Sequence, residues 1–437
     1  MDWLLALVLI FGLLIGFMLT GMPVAFAFMW TCVIGALVFW GGAGGLDQLV
    51  ISFYSAVTTF ALLPVPLFIL MGAVIFESGV GTLIVSVFDR IFGKLPGRLS
   101  IVAIGSGALL GTMIGISGAS IAILGKGLLP EMMARGYKKP VTLGPIVATG
   151  TLAVMIPPST LAVVLGAVGN IPIGKLLVSI IIPGLLLTGL FIAYVLIRCS
   201  IDPSLAPSYE VSRVSLKEKV KLFIKYILPT GIIIFGAIGV IFFGIATPSE
   251  AAALGALSCY IVAAMYRKLS WEVIAKSAIS TLRITVMVFM IIVGAISFSR
   301  LLASSGAIRG LLDVLMHQQV SPLLIVVLSQ LAVIVMGCFM DVGSIVMITG
   351  PVLVPIMKSL GIDVVWYGTI LLLNIQLGLI TPPFGLDVYT LKAMAPPEVT
   401  TEDVFKSSMP FFGMGILVMA MIFAYPPLAT WLPSHIR

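Results

Sequence analysis

Long apolar runs with no alternation dominate the chain. They fall near 3–19, 23–40, 53–76, 140–168, 176–198, 222–246, 249–266, 280–302, 364–395 and 409–432. About 20 apolar residues in a helix cross the hydrocarbon core of a bilayer, where the backbone must satisfy its own polar groups. A β-barrel would instead need short alternating segments. Two further stretches, about 99–130 and 321–357, are apolar but interrupted near their middles by Gly, Ser and Asp. They predict re-entrant helical hairpins, because an irregular tip at membrane depth is tolerated only under a cover of protein or beside a cavity.

The punctuation residues repeat. At an offset of 225, Pro23 pairs with Pro248, Gly118 with Gly343, Pro130 with Pro355, Gly136 with Gly361, and Pro157-Pro158 with Pro382-Pro383. Internal repeats of this kind mark transporters. The pattern predicts a first repeat at 1–200, a linker at 201–221 and a second repeat at 222–437. Each half holds five full spans and one hairpin that returns to its own side. Five is odd, so the repeat is expected to be inverted. The polar linker carries Asp202, Glu210 and Lys217-Glu218-Lys219, and reads either as an amphipathic surface helix or as a solvated loop.

Charge orients this plan. Only 9% of the 437 residues are charged, against roughly 25% in soluble domains. The net charge of +7 is no signal for nucleic acid, because the basic residues sit in short loops between apolar runs. Arg90, Lys94 and Arg98 precede the first hairpin, and Arg135, Lys138 and Lys139 follow it. The excess of Lys and Arg on that side predicts entry of hairpin 99–130 from the cytoplasm, entry of hairpin 321–357 from the periplasm, and both termini in the periplasm. The N-terminal run lacks a basic leader and is expected to be a retained first helix. Four scattered cysteines and two histidines give no disulfide or metal spacing.

Two segments carry the chemistry, 148–159 and 374–385. A proline pair in mid-span removes two N–H donors and clashes with the preceding turn, so the helix must break. A break frees carbonyls suited to Na⁺ and helix N-termini suited to anions. Thr149, Thr151, Ser159, Asn374, Gln376 and Thr381 add neutral oxygens and amides on adjacent turns. The hairpin tips, Gly115-Ile-Ser-Gly-Ala-Ser120 and Met340-Asp-Val-Gly-Ser344, supply the facing wall. Ser117 and Ser120 offer hydroxyls there. Asp341 reads either as part of a cation site or as tip packing, since a carboxylate at membrane depth needs a partner. Lys126 lies about 9 Å beyond Ser120 along a helix. It reads as a contact to an anionic substrate, or as a snorkelling residue or partner of Glu131. Arg300 is either an interface residue or an anion contact. Glu250 follows Thr247-Pro248-Ser249 and reads as a cap, and Glu77 and Asp387 read as structural.

Phe60-Ala-Leu-Leu-Pro-Val-Pro-Leu-Phe-Ile-Leu-Met-Gly72, Leu128–Tyr137, Gly150–Ser159, Thr247–Ala253 and Leu379–Gly385 resemble the large membrane subunit of tripartite ATP-independent periplasmic (TRAP) transporters. The resemblance covers essentially the whole chain. It implies an elevator-type transport domain holding the hairpins and broken helices, with Na⁺ as coupling ion. Carried over by motif, the Na⁺ ligands would be Ser117, Gly118, Ser120, Thr149, Pro157, Asp341, Gly343, Thr381 and Pro382. Read from the residues and not from the resemblance, substrate contacts would come from Lys126, Thr151, Ser159, Asn374, Gln376 and Arg300. The partners implied are a small four-helix membrane subunit and a periplasmic substrate-binding protein. Lys126 and the stretch Ala395–Thr400 depart from the family pattern.

The expectation is therefore an all-α polytopic protein of the bacterial inner membrane. Its fold would be an inverted-repeat elevator-type transporter with two re-entrant hairpins and two broken helices, importing a small carboxylate or sulfonate by Na⁺ symport. A stand-alone anion symporter of related fold is the alternative. An enzyme is not expected, because the acids are dispersed and no nucleophile arrangement is present.

Overall fold

The computed structural model describes residues 3–91, 95–115, 117–207, 215–317, 320–338, 340–383 and 385–436. Lys94, Ile116, Glu210 and Phe384, which belong to the patterns above, lie outside them. No strand occurs among the described residues. The first half runs α1 (Trp3–Leu19), α2 (Val24–Phe39), α3 (Ala43–Val57), α4 (Pro64–Glu77), α5 (Val80–Ile91), α6 (Arg98–Ile114), α7 (Ser117–Ala134), α8 (Lys139–Met155), α9 (Thr160–Val168), α10 (Ile173–Ser179) and α11 (Ile181–Ile201). A short α12 (Leu216–Leu222) follows, with Ser215 Oγ capping its start by accepting from Glu218 N at 3.2 Å. The second half runs α13 (Leu228–Phe242), α14 (Pro248–Met265), α15 (Trp271–Ser304), α16 (Ala307–His317), α17 (Pro322–Gly337), α18 (Val342–Ser359), α19 (Val364–Gly378), α20 (Leu386–Lys392), α21 (Thr401–Ala424) and α22 (Pro427–Thr430).

Seven helical segments are long and apolar enough to cross a membrane, or eight if the bent pair α8 and α9 counts as one span. Five shorter apolar helices, including α1, α2, α17 and α19, accompany them. The element order repeats at the sequence offset of 225. Moved by that amount, α7 falls on Val342–Ser359, α2 falls on α14, and α8 starts where α19 starts. One pair of mates differs. The chain between 43 and 77 is split into α3 and α4 around a 3₁₀ turn at Phe60–Leu62, whereas α15 is continuous. The run 53–76 is thus not a single span: Pro64 and Pro66 start a new helix instead of prolonging α3.

Each hairpin forms where a helix stops short. Gly115 adopts φ 65° after α6, a left-handed turn open to glycine without strain. In the second hairpin Asp341 caps α18, its Oδ2 accepting from Ser344 N at 3.1 Å. The broken helices follow the proline pairs. The axes of α8 and α9 differ by 46°. Both pairs, Pro157-Pro158 and Pro382-Pro383, contain a cis bond.

The two halves interlock. Helix α7 packs on α20, and its repeat mate α18 packs on α9. This reciprocity is what a two-fold relation between the halves produces. Helices α6–α9 and α17–α20 make one body with α11 and α21 against it, and α1–α4 with α13–α16 make another. Close helix contact depends on small residues. Gly337 and Gly378 meet backbone to backbone, so a Cβ built at Gly337 would stand 2.6 Å from Gly378 Cα. Gly111 meets Ala153 in the same way, at 2.5 Å from its Cα.

Candidate functional site

The hairpin tips and helix breaks, with α4 and α15, line a half-open cavity of about 380 Å³. Its wall includes the first two residues of four helices: Ser117 and Gly118 of α7, Thr160 and Leu161 of α9, Val342 and Gly343 of α18, and Leu386 and Asp387 of α20. The break in each span and the turn in each hairpin therefore do one thing together. They bring the N-termini of helices, with their partial positive charge, to the wall of one cavity, where Ser344 N is capped by Asp341, Ala162 N by Ser159 and Asp387 N by Leu379 O. An anionic group is the complementary ligand. Apolar side chains such as Ile69, Val288 and Met347 complete the wall, and Asp341 and Gln376 add polar atoms. No Lys or Arg is among the lining residues.

Buried oxygens around the tips suit a hard cation. Ser120 and Thr151 are 0% and 1% exposed, and their hydroxyls find no partner. Thr149 Oγ1 donates to Ile146 O at 2.6 Å and Thr381 Oγ1 to Leu377 O at 2.7 Å. A donating hydroxyl keeps its lone pairs for a metal ion. These groups fit Na⁺, which would draw on hydroxyls and on carbonyls freed at the breaks.

A family model described as the tripartite ATP-independent periplasmic transporter, DctM component, matches residues 11–428. The chain belongs to this family. Members of the DctM family are transporter permeases and not enzymes, and this one is a multi-span membrane protein. It is 27% identical over 408 residues to the C4-dicarboxylate TRAP transporter large permease protein DctM of Rhodobacter capsulatus, covering 90% of this chain and 91% of that protein. It is also 27% identical over 425 residues to the ectoine TRAP transporter large permease protein TeaC of Halomonas elongata, with 96% and 97% covered. The isethionate TRAP transporter permease protein DctMQ of Oleidesulfovibrio alaskensis is 26% identical over 98% of this chain, which spans only 66% of that protein. Among solved structures, the YdaH transporter of Alcanivorax borkumensis shares the fold. Its TM-score is 0.65 at 16% identity, over 93% of this chain and 99% of that one.

Of the residues singled out in this DctM-family chain, the structure brings Ser117, Gly118, Asp341, Gly343 and Gln376 to the cavity. Ser159 does not line it but is buried as the cap of α9, accepting from Ala162 N at 3.3 Å. Pro157 is buried behind it and Pro382 is exposed. Asn374 is turned elsewhere: its Nδ2 donates to Gln330 O at 2.7 Å and Oε1 at 2.8 Å, joining α19 to α17. Arg300 reaches Ser52 Oγ and Ser55 Oγ of α3, both at 3.0 Å, and so ties α15 to α3 instead of reaching the cavity. Lys126 is exposed on α7 and does not line the cavity, and Glu131, its alternative partner, accepts from Arg135 Nε at 3.0 Å. Glu250 is a cap: its Oε2 accepts from Thr247 N at 2.7 Å in a capping box. The residue that the sequence understates is Asp387. It is 2% exposed, lies at the cavity wall, and accepts a hydrogen bond from Ser117 Oγ at 2.9 Å.

Proposed function

We propose that this chain is the large membrane component of a Na⁺-coupled, binding-protein-dependent importer of a small organic anion, a carboxylate or sulfonate, in the bacterial inner membrane. The observation that carries this reading is that the starts of four helices line one half-open cavity. Helix ends contribute positive potential without a basic side chain, and because Asp341 and Asp387 stand at the starts of α18 and α20 on the same wall, an anion is held there together with a cation. The buried, unpartnered hydroxyls of Ser120 on α7 and Thr151 on α8 favour a small hard cation. Anion and cation then neutralise one another at membrane depth, and loading both together lowers the cost of moving either. The relatives named for C4-dicarboxylates, ectoine and isethionate are consistent with a small organic acid as cargo.

The same reading takes the body of α6–α9 and α17–α20 as the part that moves, in elevator fashion, against α1–α4 and α13–α16. The hairpins α6–α7 and α17–α18 enter from the cytoplasm and the periplasm respectively, with both termini periplasmic. A small four-helix membrane subunit and a periplasmic binding protein complete the assembly. Reconstitution in proteoliposomes with those partners tests it. Uptake is expected to need both a Na⁺ gradient and the binding protein. Uptake indifferent to Na⁺ overturns the coupling, and uptake without the binding protein marks a stand-alone symporter instead.

A further inference from the structure

Asp387 is the most deeply buried acid among the described residues. Its Oδ1 accepts from Ser117 Oγ, and its Oδ2 is enclosed with no donor. Three elements close around it. Asp387 opens α20, Ser117 opens α7, and Gly150 of α8 lies against the carboxylate so closely that a Cβ there would stand 2.4 Å from Oδ2 and 3.2 Å from Ser117 Cβ. One turn beyond Ser117 on the same face of α7 is Ser120, whose buried hydroxyl is also without a partner.

A buried carboxylate with a free oxygen is costly, and at membrane depth it is paired with a cation. Among the described residues no basic side chain supplies one. Lys126 is on the exposed side of α7, Lys139 pairs with Asp403 at 2.7 Å, and Lys406 pairs with Glu402 at 2.6 Å. Lys392 lies five residues past Asp387, about 140° around the helix. The charge of Asp387 is then met by an ion from outside the chain or by a proton.

We propose that Asp387 and Ser117 seat a Na⁺ ion at the junction of α7, α8 and α20, so that Asp387 adds a charged ligand to the neutral oxygens of the tips and breaks. Ser117 Oγ, while donating to Oδ1, keeps lone pairs for the ion. The repeat mate of Asp387 is Ala162, so only one of the two related positions carries a charge. The bound ion ties the first hairpin to the second broken helix. This inference rests on the Na⁺-coupled reading and goes beyond it in naming the ligand.

Thermal melts of the purified full chain in NaCl and in choline chloride test it. Asp387→Asn keeps an acceptor for Ser117 while removing the charge. In choline chloride it is expected to melt at or above the wild-type temperature, because the unpaired carboxylate is gone. Its half-saturating Na⁺ concentration is expected to rise about tenfold or more, the scale on which lost support weakens metal binding. A wild-type half-saturation in Asp387→Asn, with Ser120→Ala shifted, overturns this seat and leaves Na⁺ at the tips. A wild-type melt that NaCl leaves unchanged overturns Na⁺ binding altogether. A melt raised by acid and not by NaCl puts a proton in the seat and overturns the proposal.

Discussion

A buried hydroxyl without a partner costs free energy unless something else completes it. Ser120 is such a group, fully enclosed on α7. Ser120→Ala is expected to leave the melting temperature in choline chloride unchanged or slightly raised, and to weaken the Na⁺-induced shift. Asp341 has two roles that substitution separates. Asp341→Ala removes the cap of α18, a loss of about 1 kcal/mol, whereas Asp341→Asn keeps capping ability and removes only the charge. A loss of Na⁺ response in both variants, with the lower melt confined to the alanine, is the expected pattern. Lys126→Ala is expected to change stability by less than about 0.5 kcal/mol and to leave substrate uptake unaltered, as befits an exposed side chain. Sequence alone favours Lys126 because it is a charge inside an apolar run. Only the rotation of α7 shows that it points away from the cavity. Asp387 is hidden for the opposite reason. Its partner Ser117 is 270 positions away, and nothing local marks the pair.

At the scale of elements, the breaks and hairpins are legible because proline and glycine act locally. Pro157-Pro158 and Pro382-Pro383 interrupt their spans wherever they are placed, and Gly115 turns where a side chain would be strained. The split of α3 from α4 is less legible, since apolar residues run through it. So are α5 and α16, whose polar faces interrupt no apolar run and leave no mark in a search for spans. Close crossings are invisible until two helices are seen together. Gly337→Ala would set a methyl against the backbone of Gly378. It is expected to destabilise the chain by about 1–3 kcal/mol, read as a lower melting temperature with Na⁺ affinity little changed. Gly150→Ala, whose methyl would meet Asp387 Oδ2, is expected instead to abolish the Na⁺-induced shift.

For the whole molecule, the question is whether the body carrying the hairpin tips and helix breaks moves against the other, which contributes Ile69 and Val288 to the cavity wall. Ser299 Oγ of α15 donates to Pro351 O of α18 at 3.0 Å, a contact between the two bodies. A disulfide between cysteines at Ser299 and Pro351 is expected to stop uptake in proteoliposomes, with recovery on reduction. Full uptake by the cross-linked protein would show that the two bodies need not slide. The repeat at offset 225 is legible in the sequence from punctuation alone. Its reciprocal packing, α7 on α20 and α18 on α9, is a property of the folded chain.

The unequal mates, a split α3 and α4 against a single rod in α15, show one sequence plan held in two shapes. If each half can take the shape of the other, exchanging them turns the protein inside out. On the elevator reading, the doorway would then open on the far side of the bilayer, with the cargo still in its seat.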